Sequence, residues 1–261
     1  MRAEVIMQVL GIVGSPRKNG RSCELVDAAL QGAAAAGAEV ERLFLVDYAI
    51  GQFVGQGGSE EGVRFCPPEL SATLAKADAL VVAAPVYWGD INGLTKDWFD
   101  SVRLTPDQGN GLPALGAAVA GGSGKGLLSG VQSLYHWFYH KQMRAIDPTP
   151  VSRFNLREAR ASLAESGARL VELANSRRSF LGANADERWA DVVAWYAALP
   201  YLRDGPVEEF LMLARQLLKE AGAAAPRQAI ERYDAALAAR ERGDQAEAGR
   251  NAVEAYRLLY H

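Results

Sequence analysis

Ser15, Arg17, Asn19 and Ser22 share one stretch, GSPRKNGRS, which joins an apolar run to an alanine-rich helical pattern. Two hydroxyls, an amide and a guanidinium in that space are a donor set for an anion. A helix beginning near Ser22 adds free backbone N–H groups and the positive end of its dipole. A phosphate fits, with Arg17, Lys18 and Arg21 supplying formal charge. The bland alternative is a turn and a helix cap, which uses the same residue types but needs only one of them. Two further stretches also follow apolar runs. In APVYWGDINGLTKDWFD, Pro85 ends the run, Tyr87 and Trp88 offer faces to a flat ring, and Gly89 and Gly93 let the backbone approach a ligand edge. The competing reading there is packing of both aromatics beneath the next helix. GGSGKG, residues 121–126, is a wall without side chains to obstruct a planar group. Together the three stretches describe a site for a phosphate joined to a broad aromatic heterocycle.

Such loops need elements to hold them. Short apolar runs alternate with helical patterns through the first half: VIMQVLGIVG, then residues 22–36, EVERLFLV, 69–77, ADALVVAAP, 95–103 and ALGAAVAGG. That alternation predicts right-handed βαβ units and a doubly wound parallel sheet covered on both faces. In such a sheet the ligand lies outside the carboxyl ends of the strands, where the three loops fall. A helix around 127–141 and a last short strand, MRAI, ending at DPTP, complete the layer. From Asn155 onward the pattern is helical, broken at GANA, PYLRDGP and GAAAP, so the carboxyl third is an all-helical extension. Its end has the small-residue spacing of one helical hairpin, which cannot bury its own face and is expected to pack on the α/β layer or on a second subunit.

Composition sets the exclusions. With 28 Lys and Arg against 31 Asp and Glu, the formal charge of −3 and the lack of a basic run argue against nucleic acid. No segment reaches the roughly 18–20 apolar residues of a membrane span, and the amino terminus lacks a cleavage pattern, so a cytoplasmic, reducing compartment is expected. The histidines, His136, His140 and His261, make no metal constellation. Cys23 reads as a small buried apolar group, and Tyr135, Phe138 and Tyr139 as core or dimer interface. Lys96, Lys125, Arg177 and Arg178 read as solvated. GSPRKNGRS lacks G-x-G-x-x-G, GGSGKG has Gly126 where a triphosphatase loop needs Ser or Thr, and the match at 109–114 precedes a strand instead of following one.

The three loops, in this order and spacing over about residues 6–175, resemble the flavin-binding loops of the NADPH-dependent FMN reductase group of flavodoxin-like proteins, which includes quinone reductases and iron-sulfur flavoproteins. The resemblance implies a five-stranded flavodoxin-like sheet holding FMN noncovalently. It puts Ser15, Arg17, Asn19 and Ser22 on the phosphate. Pro85, Val86, Tyr87, Trp88 and Gly89 would lie along the ribityl chain and isoalloxazine, and Gly121, Gly122 and Ser123 beside the ring. Residues 1–178 would be the FMN-binding domain and 179–261 the helical extension. The implied activity is transfer of a hydride from NADH or NADPH to the flavin and of electrons to a small acceptor such as a quinone or free flavin, in a homodimer or homotetramer. The flavin carries that chemistry, so no catalytic side chain is expected, although backbone N–H groups at Trp88, Gly89 or Gly122 are placed to stabilise charge on the ring. The rivals are a flavodoxin-like electron carrier and a flavin-free scaffold. Two departures stand out. Arg21 occupies a position where many relatives carry Asn or Ser. The segment 47–68, expected to cover the flavin or a neighbouring subunit, keeps only Cys66, where iron-sulfur flavoproteins carry a compact set of four cysteines.

Overall fold

The apolar runs become the middle of a parallel sheet. The computed structural model describes residues 6–52, 66–176 and 178–260; Arg177 and most of the 47–68 segment lie outside them. The strands are β1 (Gln8–Val13), β2 (Glu39–Phe44), β3 (Ala79–Tyr87), β4 (Asp90–Ile91), β5 (Pro113–Ala120) and β6 (Arg144–Ser152). They run in the order β2-β1-β3-β5-β6, every neighbour parallel, with the short β4 antiparallel to β3. This is the flavodoxin-like order, whose direction of winding reverses between β1 and β3.

Alternation along the strands divides the core in two. Leu10, Ile12, Leu80 and Val82 face helices α2 (Pro68–Lys76), α3 (Gly93–Ser101) and α5 (Leu127–His140). A four-residue turn of helix, α4 (Pro106–Gly109), precedes β5. Val9, Val13, Val81, Ala83 and Leu115 face α1 (Arg21–Ala35) and α6 (Leu156–Ser176) on the other side. Continuous apolar strands are what a sheet buried on both faces demands. The aromatic run of α5 is core: Tyr135 and Phe138 are fully buried, Gly116 N donates to the Tyr135 hydroxyl at 3.1 Å, and that hydroxyl donates to the Ile146 carbonyl.

The last strand departs from expectation. It does not stop at DPTP but runs through Pro148 and Pro150 to Ser152, with its register against β5 shifting between Leu115 and Ala117. β6 is an edge strand, where a missing N–H is tolerated, and the shift accommodates Asp147 at φ 46°. Ser166 and Arg169 of α6 hold the Asp147 carboxylate at 2.7 and 2.8 Å.

The carboxyl helices are α7 (Trp189–Ala197), α8 (Pro206–Ala221), α9 (Arg227–Glu241) and α10 (Gln245–Leu259). They pack on the α/β layer. Trp195 and Tyr196 of α7 donate to the Ala145 and Met143 carbonyls at 2.7 and 2.9 Å. Leu213, Ala214 and Leu217 of α8 share a core with Leu127, Leu128, Ala120 and Tyr256. The hairpin expected from small-residue spacing is α9 and α10, which bury Ala236, Ala239, Ala248 and Ala252.

Helices α1 and α6 cross backbone to backbone. A methyl at Gly167 would stand 1.9 Å from the Ala29 carbonyl oxygen, and one at Gly32 would stand 1.7 Å from that of Ala164. Glycine to alanine inside a helix ordinarily stabilises by about 0.5–1 kcal/mol. Here overpacking reverses the sign, and Gly167→Ala is expected to cost about 1–3 kcal/mol in urea unfolding; a variant as stable as the parent would mean that the helices are not in such contact.

Candidate functional site

The first loop leaves β1 at Gly14, and two buried donors fix it there. Asn92 Nδ2 donates to the Gly14 carbonyl at 2.9 Å, and the Thr95 hydroxyl stands 3.2 Å from the same oxygen and 2.7 Å from Asn92 Oδ1. Both residues open α3, and both are buried. Asn92 occupies the N-cap position yet makes no capping bond to its own helix, because its amide is committed to the first loop. Gly14 is required for space, since a Cβ there would lie 2.1 Å from the Thr95 hydroxyl.

The second loop is a tight hairpin. Tyr87 pairs with Asp90, and Trp88 and Gly89 between them have φ 55° and 91°, the signs of a type I′ turn. A tryptophan in the left-handed region is strained, and this one is fully exposed. The packing reading therefore fails for Trp88. The third loop lies against this hairpin: Ser129 donates to the Gly89 carbonyl, and a Cβ at Gly126, itself at φ 88°, would come within 2.6 Å of the Gly89 Cα. The glycines of GGSGKG thus serve partly for close approach, at Gly124 to Leu213 of α8 and at Gly126 to Gly89, while Gly122 faces open space.

Between the three loops lies a cleft of about 620 Å³. Nine of the twelve expected site residues line it: Ser15, Arg17, Asn19 and Ser22; Pro85, Val86 and Tyr87; Gly121 and Gly122. Trp88, Gly89 and Ser123 stand outside its walls. Arg21, Glu24 and Lys125 also line it, so Lys125 is a cleft residue and not merely a solvated lysine. Ser15 and Ser22 are buried, and Ser15 Oγ accepts from Arg17 N at 3.0 Å. Helix α1 begins at Gly20 with no side-chain cap, so none of the three short polar residues of the loop performs the capping that was the bland alternative. Sequence reasoning also missed Asn92 and Thr95, whose contacts with Gly14 span 78 and 81 residues of sequence.

A sequence profile of the family described as NADPH-dependent FMN reductase matches residues 7–155, all three loops included. The chain belongs to that family. It is accordingly an FMN-dependent oxidoreductase of flavodoxin-like fold. Among curated relatives, it is 29% identical over 153 residues to the iron-sulfur flavoprotein MJ1083 of Methanocaldococcus jannaschii, covering 55% of this chain and 79% of the relative. It is 31% identical over 142 residues to an iron-sulfur flavoprotein of Methanosarcina thermophila, covering 51% and 73%. Solved structures with this fold include RosB with a bound flavin-derived intermediate (TM-score 0.55, 13% identity, 73% of this chain and 86% of that one) and a flavone reductase (TM-score 0.54, 19%, 65% and 63%).

These geometries separate two kinds of residue. Asn92→Ala leaves the buried Gly14 carbonyl short of a donor and is expected to cost about 1–3 kcal/mol of stability. Trp88→Gly relieves a left-handed side chain that packs on nothing in the chain, and its melting temperature is expected to equal or exceed the parent's. Thermal unfolding of both checks the contrast, and a Trp88→Gly protein less stable than Asn92→Ala would refute it.

Proposed function

We propose that this protein takes a hydride from NADH or NADPH onto an FMN held noncovalently in the cleft and passes the electrons to a small acceptor such as a quinone or free flavin. The reading rests chiefly on one observation: the uncapped start of α1 opens on a cleft whose charged lining is three cations, Arg17, Arg21 and Lys125, against one carboxylate, Glu24. That donor set fits a phosphate, and the cleft is large enough for a flavin head beyond it. FMN, when bound, supplies the hydride-accepting ring and the electron relay. The chain supplies the rest. Ser15 and Ser22 hydroxyls, the Asn19 amide, Arg17 and the α1 amides hold the phosphate; Pro85, Val86 and Tyr87 flank the organic part; Gly121 and Gly122 border it without bulk. Trp88 and Gly89 form the rim, where the exposed indole meets an incoming substrate. Residues 1–178 act as the flavin-binding unit and 179–261 as its helical extension.

The relatives named above are iron-sulfur flavoproteins, but this chain has two cysteines, Cys23 in α1 and Cys66 just before α2. Burial first, and then Asp27, push the Cys23 thiol up, and burial pushes up that of Cys66. A cluster needs about four protein ligands, and two cysteines fall short of that. We infer that no cluster is present; iron and acid-labile sulfide in stoichiometric amounts in anaerobically purified protein would overturn this.

The function is tested by titration with two ligands. Arg17→Ala removes one charge-assisted contact to phosphate, so FMN binding is expected to weaken roughly 10- to 150-fold, while binding of riboflavin, which lacks the phosphate, stays as in the parent. Equal weakening of both, or no effect on FMN, means that the first loop is only a turn. Anaerobic mixing with NADPH then separates a reductase, whose flavin bleaches, from an electron carrier, whose flavin does not.

A further inference from the structure

The third loop is held on its far side by helices that lie beyond the family match, which ends at residue 155. Glu209 of α8 accepts from Gly126 N at 3.0 Å with one carboxylate oxygen and from Leu128 N at 3.2 Å with the other, so a side chain from 83 residues downstream satisfies the start of α5. The Tyr256 hydroxyl of α10 donates to the Ser123 carbonyl at 2.9 Å. Burial, the leading cause, pushes that phenol up, which keeps its proton on the bond. Between these two anchors Lys125 is steered: its ammonium stands 5.6 Å from the Phe210 ring centre and 5.5 Å from that of Tyr256, two rings that meet edge to face. Leu213 closes on Gly124 from the same helix.

We propose that α8 and α10 are a built part of the cofactor site, with Glu209 and Tyr256 as positioning residues that fix the 121–126 loop and, through it, aim Lys125 at the cleft. This rests on the reading that FMN occupies the cleft. The loop is rich in glycine and has no conformation of its own to prefer, so without these anchors binding must order it at the ligand's expense. A fixed cation at the cleft wall favours whichever bound form carries more negative charge.

The test uses the full chain. In Glu209→Gln, Tyr256→Phe and Lys125→Met proteins, FMN dissociation constants, the visible spectrum of bound flavin and its midpoint potential are measured, with circular dichroism and melting temperature as the folding check. Glu231→Gln, which loses only a pair with Arg227 inside α9, is the control. The expected result is FMN binding weakened about 5- to 150-fold in the Glu209 and Tyr256 variants. A potential lower than the parent's is expected in Lys125→Met and Tyr256→Phe, with Glu231→Gln unchanged. Tyr256→Phe and Lys125→Met should combine to less than their sum, because they break one arrangement. Because Lys125 is exposed, its variant does not depend on a core contact to fold. If the parent binds FMN and Lys125→Met matches it in affinity, spectrum and potential, the inference is overturned alone. The same follows if folded Glu209 and Tyr256 variants match the parent. If the parent binds no FMN, the functional reading falls and takes this inference with it.

Discussion

Everything at the carboxyl edge of the sheet depends on the Gly14 carbonyl being received by Asn92 and Thr95. Strands β1 and β3 hold each other through Gly14 N and the Ala83 carbonyl at 2.9 Å, but beyond that bond the two chains part. The first loop turns toward α1 and the second into the β4 hairpin. A carbonyl left buried at that fork without partners would cost about 1–3 kcal/mol and would let the loops drift. Two side chains from the start of α3 satisfy it, and one methyl on Gly14 would collide with the Thr95 hydroxyl. From there the ties continue outward. The hairpin touches the third loop through Gly89, Ser129 and Gly126, and the third loop is anchored to α8 and α10. The cleft is thus bounded by loops that constrain each other in series.

The legible parts of this arrangement were those written in local pattern. Apolar runs of strand length between helical periods gave the sheet, and loops of donor-rich or glycine-rich composition after those runs gave most of the cleft wall. What escaped was of two kinds. Some features invert a local rule for a nonlocal reason. β6 continues through two prolines because it lies at an edge and shifts register, and Asn92 sits at an N-cap without capping. Others have no local signature at all. Nothing around Glu209 or Tyr256 in sequence marks them as belonging to a loop some 80 or 130 residues earlier, as their separations of 83 from Gly126 and 133 from Ser123 show. The glycines show both cases. Gly122 faces open space as its composition implied, whereas Gly124 and Gly126 are fixed by neighbours that composition could not reveal.

The relation to the iron-sulfur flavoproteins follows the same logic. What the chain shares with its family lies in residues 7–155, where sheet and loops must be kept to keep the cleft. What it lacks is a set of four cysteines, since it has two in all. Its two cysteines sit on different elements and both are buried, and burial raises a thiol toward its neutral, apolar role. Among the described residues no group of three or more His, Cys, Asp and Glu is arranged to hold a metal ion.

The helix that follows the first loop and the helix that follows the third are treated oppositely, and this gives the cleft between those loops a direction. Helix α1 starts at Gly20 without a side-chain cap, beside Arg17 and Arg21, so its positive end is open to an anion from outside the chain. Helix α5 starts at Gly126 with a carboxylate of the chain's own already on its first amides. An end neutralised in this way repels a second anion, since like charges brought together outside bulk water cost more than either gains from a helix dipole worth about 0.3–1 kcal/mol. A ligand with one anionic end is therefore favoured with that end at α1 and disfavoured in the reverse orientation. On the proposed reading, Glu209 occupies the start of α5 and leaves that of α1 for a phosphate.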